Sequence, residues 1–329
     1  MADKTLIAWT SHTANFWIGC QKVSPGCAHC YAEVLTKGKM GLPGYWGPAK
    51  TSRRKEVAGV VANVRRWNKA SDPNNPDKVF VGSLMDWAED HPDANAFRAR
   101  MWDTIRSADR LIFQLLTKRP QRISDLLPPF WDEIKHRIWL GTSIENNDYA
   151  YRADYIRRTP GWDDKTLQSR RLADAGFADV GAAVRFVSYE PALGPLDELD
   201  LTGLDWIIFG GESGPGYRPM NPQWARDMRD RCKLAGVAFF FKQSAAIRTE
   251  MGIELDGQVI REYPPVIALG TDRVTHAIPA PHALGDREEQ AAERRRAAAR
   301  KAAATVRARR QATTHSNLPQ ADPPQATLF

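Results

Sequence analysis

The chain has 329 residues, 43% of them hydrophobic and 26% charged, with a formal net charge of +7 and only four cysteines. That length accommodates one large α/β domain with additions, or two modest domains. With no apolar run of the roughly 20 residues that span a bilayer and no basic-then-apolar leader, neither a membrane protein nor a disulfide-stapled secreted one is expected, and a reducing, cytoplasmic setting is.

Residues 1–19 read as a short strand or extended lead-in. The next stretch, Gly19–Glu33, holds three of the four cysteines as Cys20-x6-Cys27-x2-Cys30. Gly19, Pro25 and Gly26 permit the turns that let three thiolates converge, and a helix over 31–39 would put its N-terminus beside them. Three sulfur ligands leave one metal position open, whereas a structural site wants four. Three readings follow: an iron–sulfur cluster with one open iron, a zinc site closed by His29, His12 or Cys232, or free or disulfide-forming thiols.

Residues 40–56, rich in Gly and Pro, read as an irregular basic loop, with a helix over 56–69. Segment 37–69 carries nine Lys/Arg and one acid, and 287–310 carries nine and three. The intervening 70–286 is mildly acidic, so two basic segments on an acidic body point to a nucleic-acid partner or, more plainly, to solvated surface. Trp17 and Trp46 flank the cysteine and basic loops and are candidates for base stacking, whereas Trp9, Trp139 and Trp206 read as core.

A repeating unit then begins. Short apolar runs at 78–82, 111–116, 138–141, 184–187, 206–209 and 237–241 alternate with helical stretches, among them 121–127, about 148–158, and a helix capped by Asn221 with Pro222 at its first position. Such alternation predicts a parallel sheet covered by helices, as a full or partial (β/α) TIM-like barrel or a doubly wound sheet. Polar residues recur directly after the strands: Asp86, Lys118, Arg119, Ser143, Glu145, Glu190, Glu212, Ser213, Lys242 and Gln243. In these folds the site lies on that side. Cys232, in mid-helix, reads as a small core residue. The expected organisation is a barrel domain over 1–245, a small β appendage over 246–285 with a hairpin turn at Gly257, and a basic Ala/Arg-rich helix with a disordered tail over 286–329.

Taken together, Gly19–Ala32, LTKRP (116–120), WLGTSIE (139–145), SYEPALGP (188–195), DWIIFGGESGPGYRP (205–219) and FFFKQ (239–243) resemble the phage- and prophage-borne three-Cys-motif proteins, which look like a divergent branch of the radical S-adenosylmethionine (SAM) superfamily. The resemblance implies a 4Fe–4S cluster on Cys20, Cys27 and Cys30, SAM on the fourth iron, an electron donor, and a 5′-deoxyadenosyl radical that abstracts hydrogen from substrate. It implies a ribose-contacting role for Ser143 and Glu145, and a cofactor-binding one for Gly210, Gly211, Glu212 and Ser213 through the SAM amine. The first cysteine gap is six residues where the superfamily has three, and the Gly-Gly-Glu element follows a late strand. Ser83 and Asp86 therefore share candidacy for the amine. Lys118, Arg119, Glu190, Lys242 and Gln243 remain for substrate, expected to be a nucleic acid, nucleotide or nucleobase. The rival expectation is a non-catalytic, zinc-stabilised nucleic-acid-binding protein.

Overall fold

The computed structural model describes residues 5–157 and 181–265, all within one compact unit (1–271). The N-terminal segment supplies β1 (His12–Ala14) and β2 (Trp17–Ile18), the latter paired antiparallel with β3 (Lys55–Glu56). The apolar runs become β4 (Asp77–Val81), β5 (Leu111–Thr117), β6 (Ile138–Ser143), β7 (Val184–Tyr189), β8 (Trp206–Gly210) and β9 (Ala238–Gln243). With β1 they form a seven-stranded sheet in the order β1-β4-β5-β6-β7-β8-β9, parallel throughout and curled into a half-barrel. Adding each strand beside its predecessor in one direction, with the natural twist of a sheet, produces that curl.

Residue alternation divides the sheet into two cores. One set, including Val79, Phe113, Leu140, Val187, Phe209 and Phe241, joins the large core shared with the helices. The other set, Phe80, Ile112, Trp139, Val184, Phe186, Trp206, Ile208 and Phe240, fills the concave interior with Trp9. Trp206 is its hub, meeting Trp139 edge-on at 5.5 Å, Phe186 at 5.7 Å and Phe240 at 6.0 Å between ring centroids. Gly141 faces Phe186 so closely that any side chain there would run into the ring.

The connecting helices are α1 (Tyr31–Lys37), α2 (Val60–Ala70), α3 (Pro92–Ser107), α4 (Ile123–Leu126), α5 (Trp131–Ile134) and α6 (Pro222–Ala235). Val60, Val64 and Trp67 give α2 its buried stripe, and Met101 and Ile105 do the same for α3. Asn221 caps α6 as predicted, accepting the Gln223 amide, and Cys232 is fully buried in it. Two predicted helices are less regular. Residues 121–127 become a 3₁₀ turn and the single turn of α4, because Pro128 and Pro129 stop propagation. Residues 147–155 form a 3₁₀ helix capped by Asn146.

Residues 246–265 pack against the barrel. Asp256 and Gly257 adopt positive φ (54° and 73°) in a tight hairpin turn, with Leu255 and Gln258 paired across it. The following segment covers the outer edge of β9, with Phe241 N–H donating to Ile260 O (2.8 Å) and Glu262 N–H to Phe239 O (3.1 Å). Tyr263 then donates to Ala8 O at 3.1 Å, linking the two ends of the sheet. The polar segment 160–182, whose composition favours a helix around 167–175, lies outside the described residues except at its last two positions, as do the remainder of the appendage and the basic tail. No described helix is long and apolar enough to cross a membrane.

Because the concave core is built around one indole, Trp206→Ala should cost about 3–5 kcal/mol of stability. Urea unfolding followed by circular dichroism measures this; a loss below about 1 kcal/mol would show that the interior does not depend on Trp206.

Candidate functional site

The pleat decides which strand-end residues can meet. Ser143 and Ser188, opposite each other in register, continue the inward-facing rows of β6 and β7 above Trp139 and Phe186. Lys242 continues the inward row of β9 above Phe240, whereas Gln243 points the other way. Above the aromatic floor, at the C-terminal ends of the strands, opens a pocket of about 410 Å³ whose wall includes Trp9, Phe80, Ser143, Ser188 and Lys242.

The cysteine loop forms the facing wall, and Cys20, Cys27 and Cys30 all line the pocket as free thiols. Its entry is fixed by Gly19, whose φ of +113° and contact with Tyr45 O leave no room for a side chain. Pro25–Cys27 make one 3₁₀ turn, and Cys30 is the N-cap of α1. Gly26 lies directly on Glu145, where a Cβ would overlap the carboxylate, and Ser24 Oγ donates to Glu145 Oε1 at 2.6 Å. Arg119 Nη1 reaches Cys20 Sγ at 3.6 Å and its Nη2 donates to Gln21 O at 2.7 Å. Burial pushes the Cys20 thiol up against the pull of Arg119, and burial raises Cys30 as well.

Among the described residues no three His, Cys, Asp or Glu side chains are gathered as a single metal ion would hold them. The three candidates for a fourth zinc ligand are occupied elsewhere. His29 Nδ1 is 3.1 Å from Glu212 Oε2, His12 stacks on Trp67 and lies 3.5 Å from Asp77, and Cys232 is in the core.

Beneath the loop sits a set of buried carboxylates. Glu145 is fully buried, with Lys118 Nζ at 3.1 Å and Arg152 Nη1 at 2.9 Å. Burial alone would raise its pKa; Lys118 and Arg152 outweigh it and hold the carboxyl below its usual range. Asp86 accepts from Thr117 Oγ1 (2.6 Å), Ala88 N–H (3.0 Å), Arg119 Nη1 (2.7 Å) and Lys118 N–H (3.2 Å). Glu212 accepts from the Arg218 amide and Nε, both at 2.9 Å, and from Arg218 Nη2, besides its contact with His29. Burial opposes ionisation of both, but their partners lower both pKa values. Four partners exhaust the lone pairs of a carboxylate, so Asp86 and Glu212 have little capacity left for a ligand amine. Glu190 differs. It lines the pocket and among the described residues has one hydrogen-bond donor, Lys242 Nζ at 2.5 Å, which leaves acceptor positions open.

The structure thus brings the cysteines, Asp86, Lys118, Arg119, Ser143, Glu190, Glu212, Ser213 and Lys242 to one pocket, and leaves others outside it. Glu145 supports the cysteine loop from below. Gly210 packs its Cα side against Glu190, where a Cβ would come within 3.0 Å, and Gly211 lies against the Ser244–Ala245 backbone. Gln243 is fully buried, donating to Gly211 O (3.1 Å) and accepting from Thr249 Oγ1 (2.9 Å) and Glu250 N–H (2.8 Å). Gly210, Gly211 and Gln243 are not among the residues that line the pocket and pack behind its wall. Of the stacking candidates, Trp46 lines the pocket, but Trp17 is fully buried in the outer core. In the basic segment Arg54 is buried and doubly bonded to Glu89 (2.7 Å each), so it is closed to a phosphate backbone, while Arg53 pairs with Asp93 at the surface and keeps its side chain 80% exposed. Glu89 also accepts the Gln21 amide at 2.7 Å. Sequence reasoning missed Arg54, Glu89 and Arg218 because their partners are remote or unmarked. Ser188 was within reach, through its two-residue spacing from inward Phe186.

A parallel half-barrel with a three-cysteine loop folded over the C-terminal ends of its strands is the class that fold and site define. The chain belongs to a family described as a protein of unknown function (DUF5131), whose model matches residues 4–163 and 163–264. No curated protein and no solved structure matches it.

Glu145→Gln should destabilise the protein at pH 7 by about 3 kcal/mol, since it leaves Arg152 and Lys118 without their buried counter-charge. The folded-state pKa of Glu145 is depressed, so its contribution is present above the ordinary carboxylate value of about 4.3 and is lost as pH falls through the lower folded value. Unfolding curves of wild type and variant should therefore converge in acid; a difference that stays constant from pH 7 to pH 3 would contradict this.

Proposed function

We propose that this protein is a radical-SAM-like iron–sulfur enzyme acting on a nucleic acid, nucleotide or nucleobase-like substrate, a divergent relative of the three-Cys-motif proteins it resembles. The observation that carries the reading is that three thiols from one loop line a single pocket at the strand C-termini, opposite inward-facing Ser143 and Ser188. The donor set fits an iron–sulfur cluster: three soft sulfurs, with the loop's one imidazole, His29, engaged by Glu212. Cys20, Cys27 and Cys30 would hold it. When bound, such a cluster would supply the reducing electron for cleavage of SAM to methionine and a 5′-deoxyadenosyl radical.

The protein's own residues then have distinct tasks. Ser143 and Ser188 offer hydroxyls to a ribose, and Glu190 is the pocket carboxylate with acceptor capacity for an amine. Asp86 and Glu212, with their lone pairs committed, hold Arg119 and Arg218 in place and so keep the cysteine loop docked. Trp9 and Phe80 close the floor against water.

Anaerobic reconstitution with iron and sulfide, followed by dithionite and SAM, should yield a brown protein that forms 5′-deoxyadenosine, and Cys27→Ala should abolish both. One zinc per chain, colourless protein and no SAM cleavage under several reductants would instead favour a zinc-stabilised nucleic-acid-binding protein.

A further inference from the structure

The cations of the pocket wall are nearly all spoken for. Lys118 is paired with Glu145, Arg119 with Asp86 and Lys242 with Glu190. Arg248 also lines the pocket, is exposed, and among the described residues has no acidic or hydrogen-bonding partner. Its loop is nonetheless firmly held. Buried Gln243 accepts from Thr249 and Glu250 on its C-terminal side, and on its N-terminal side Ala246 N–H donates to Glu212 O at 3.0 Å while Ala246 O accepts from Gly214 N–H at 3.0 Å. A guanidinium on an anchored loop, facing a cavity and lacking a counter-charge, is suited to an anion brought by a ligand.

The same pocket offers an aromatic surface. Tyr31 lines the pocket, is 49% exposed as a residue, and is tethered by its hydroxyl, which donates to Ser83 O at 2.8 Å. An unpaired guanidinium and a tethered, exposed tyrosine in one pocket match a phosphate and a base.

We infer that Arg248 binds the phosphate of a nucleotide unit whose base reaches the pocket, either as a free nucleotide or as one residue of a strand. This rests on reading the pocket as the substrate site. It assigns a substrate class and a recognition residue to that site.

The test is equilibrium binding of the four nucleoside 5′-monophosphates, their nucleosides, and five-residue oligothymidylate and oligouridylate to the purified full chain. Each monophosphate should bind at least about tenfold more tightly than its nucleoside, the effect of one charge-assisted contact. Arg248→Gln should erase that advantage, with an unchanged circular dichroism spectrum, while Lys233→Gln, at an exposed position of α6, should preserve it. Tighter binding of an oligonucleotide than of any monophosphate, equally dependent on Arg248, identifies a strand as the source; the reverse order identifies a free nucleotide. Equal binding of nucleoside and monophosphate, no binding of any probe, or an Arg248→Gln protein that behaves as wild type overturns the inference. SAM cleavage without nucleotide binding removes this inference alone. Arg248-dependent nucleotide binding without SAM cleavage removes the enzymatic reading and leaves the binding site.

Discussion

The arrangement depends on the seating of one irregular loop upon buried carboxylates. Glu145, Glu212 and Glu89 each sit below or beside the cysteine loop, and each accepts from it or from a residue that grips it: Ser24, His29 and Gln21 on the loop, Arg218 and Arg54 around it. An ionised carboxylate taken out of water is destabilising by several kcal/mol unless it is fully hydrogen-bonded. Lifting the loop away would remove one hydrogen bond from each carboxylate and open it to water, leaving Lys118 and Arg152, Arg218 and Arg54 as the remaining partners.

This constraint accounts for the division of labour around the pocket. Carboxylates with four donors are structural, and Glu190, with a single donor among the described residues, can still address a ligand. The same reasoning applies to cations, where pairing separates Lys118, Arg119 and Lys242 from Arg248. Residue type at a strand end therefore says less about chemistry than the count of partners already satisfied.

Much of the architecture was legible in advance. Continuous apolar runs announced a parallel sheet, and the Asp-Gly turn at 256–257 and the Asn221-Pro222 start of α6 fell where local chemistry demands them. The pocket was legible in part, because in a parallel barrel the ends of the strands share one rim. Less readable was which way each end residue faces. Lys242 and Gln243 are neighbours of similar polarity, and only their alternation relative to Phe240 and Phe241 sends one inward and the other outward. Trp17 was misjudged for a related reason: an aromatic beside a loop looks available until its burial is known.

By itself the sequence determined most of the elements and their order, and it placed three thiols within eleven residues, because helix caps, turns and apolar periodicity act over short distances along the chain. Tertiary structure decided which charges were consumed. Glu89 with Arg54, Asp86 with Arg119, and Glu145 with Lys118 join residues 27 to 35 positions apart, and Glu212 meets His29 across 183. Pairing at that range is set by how strands are laid side by side, and no local pattern encodes it.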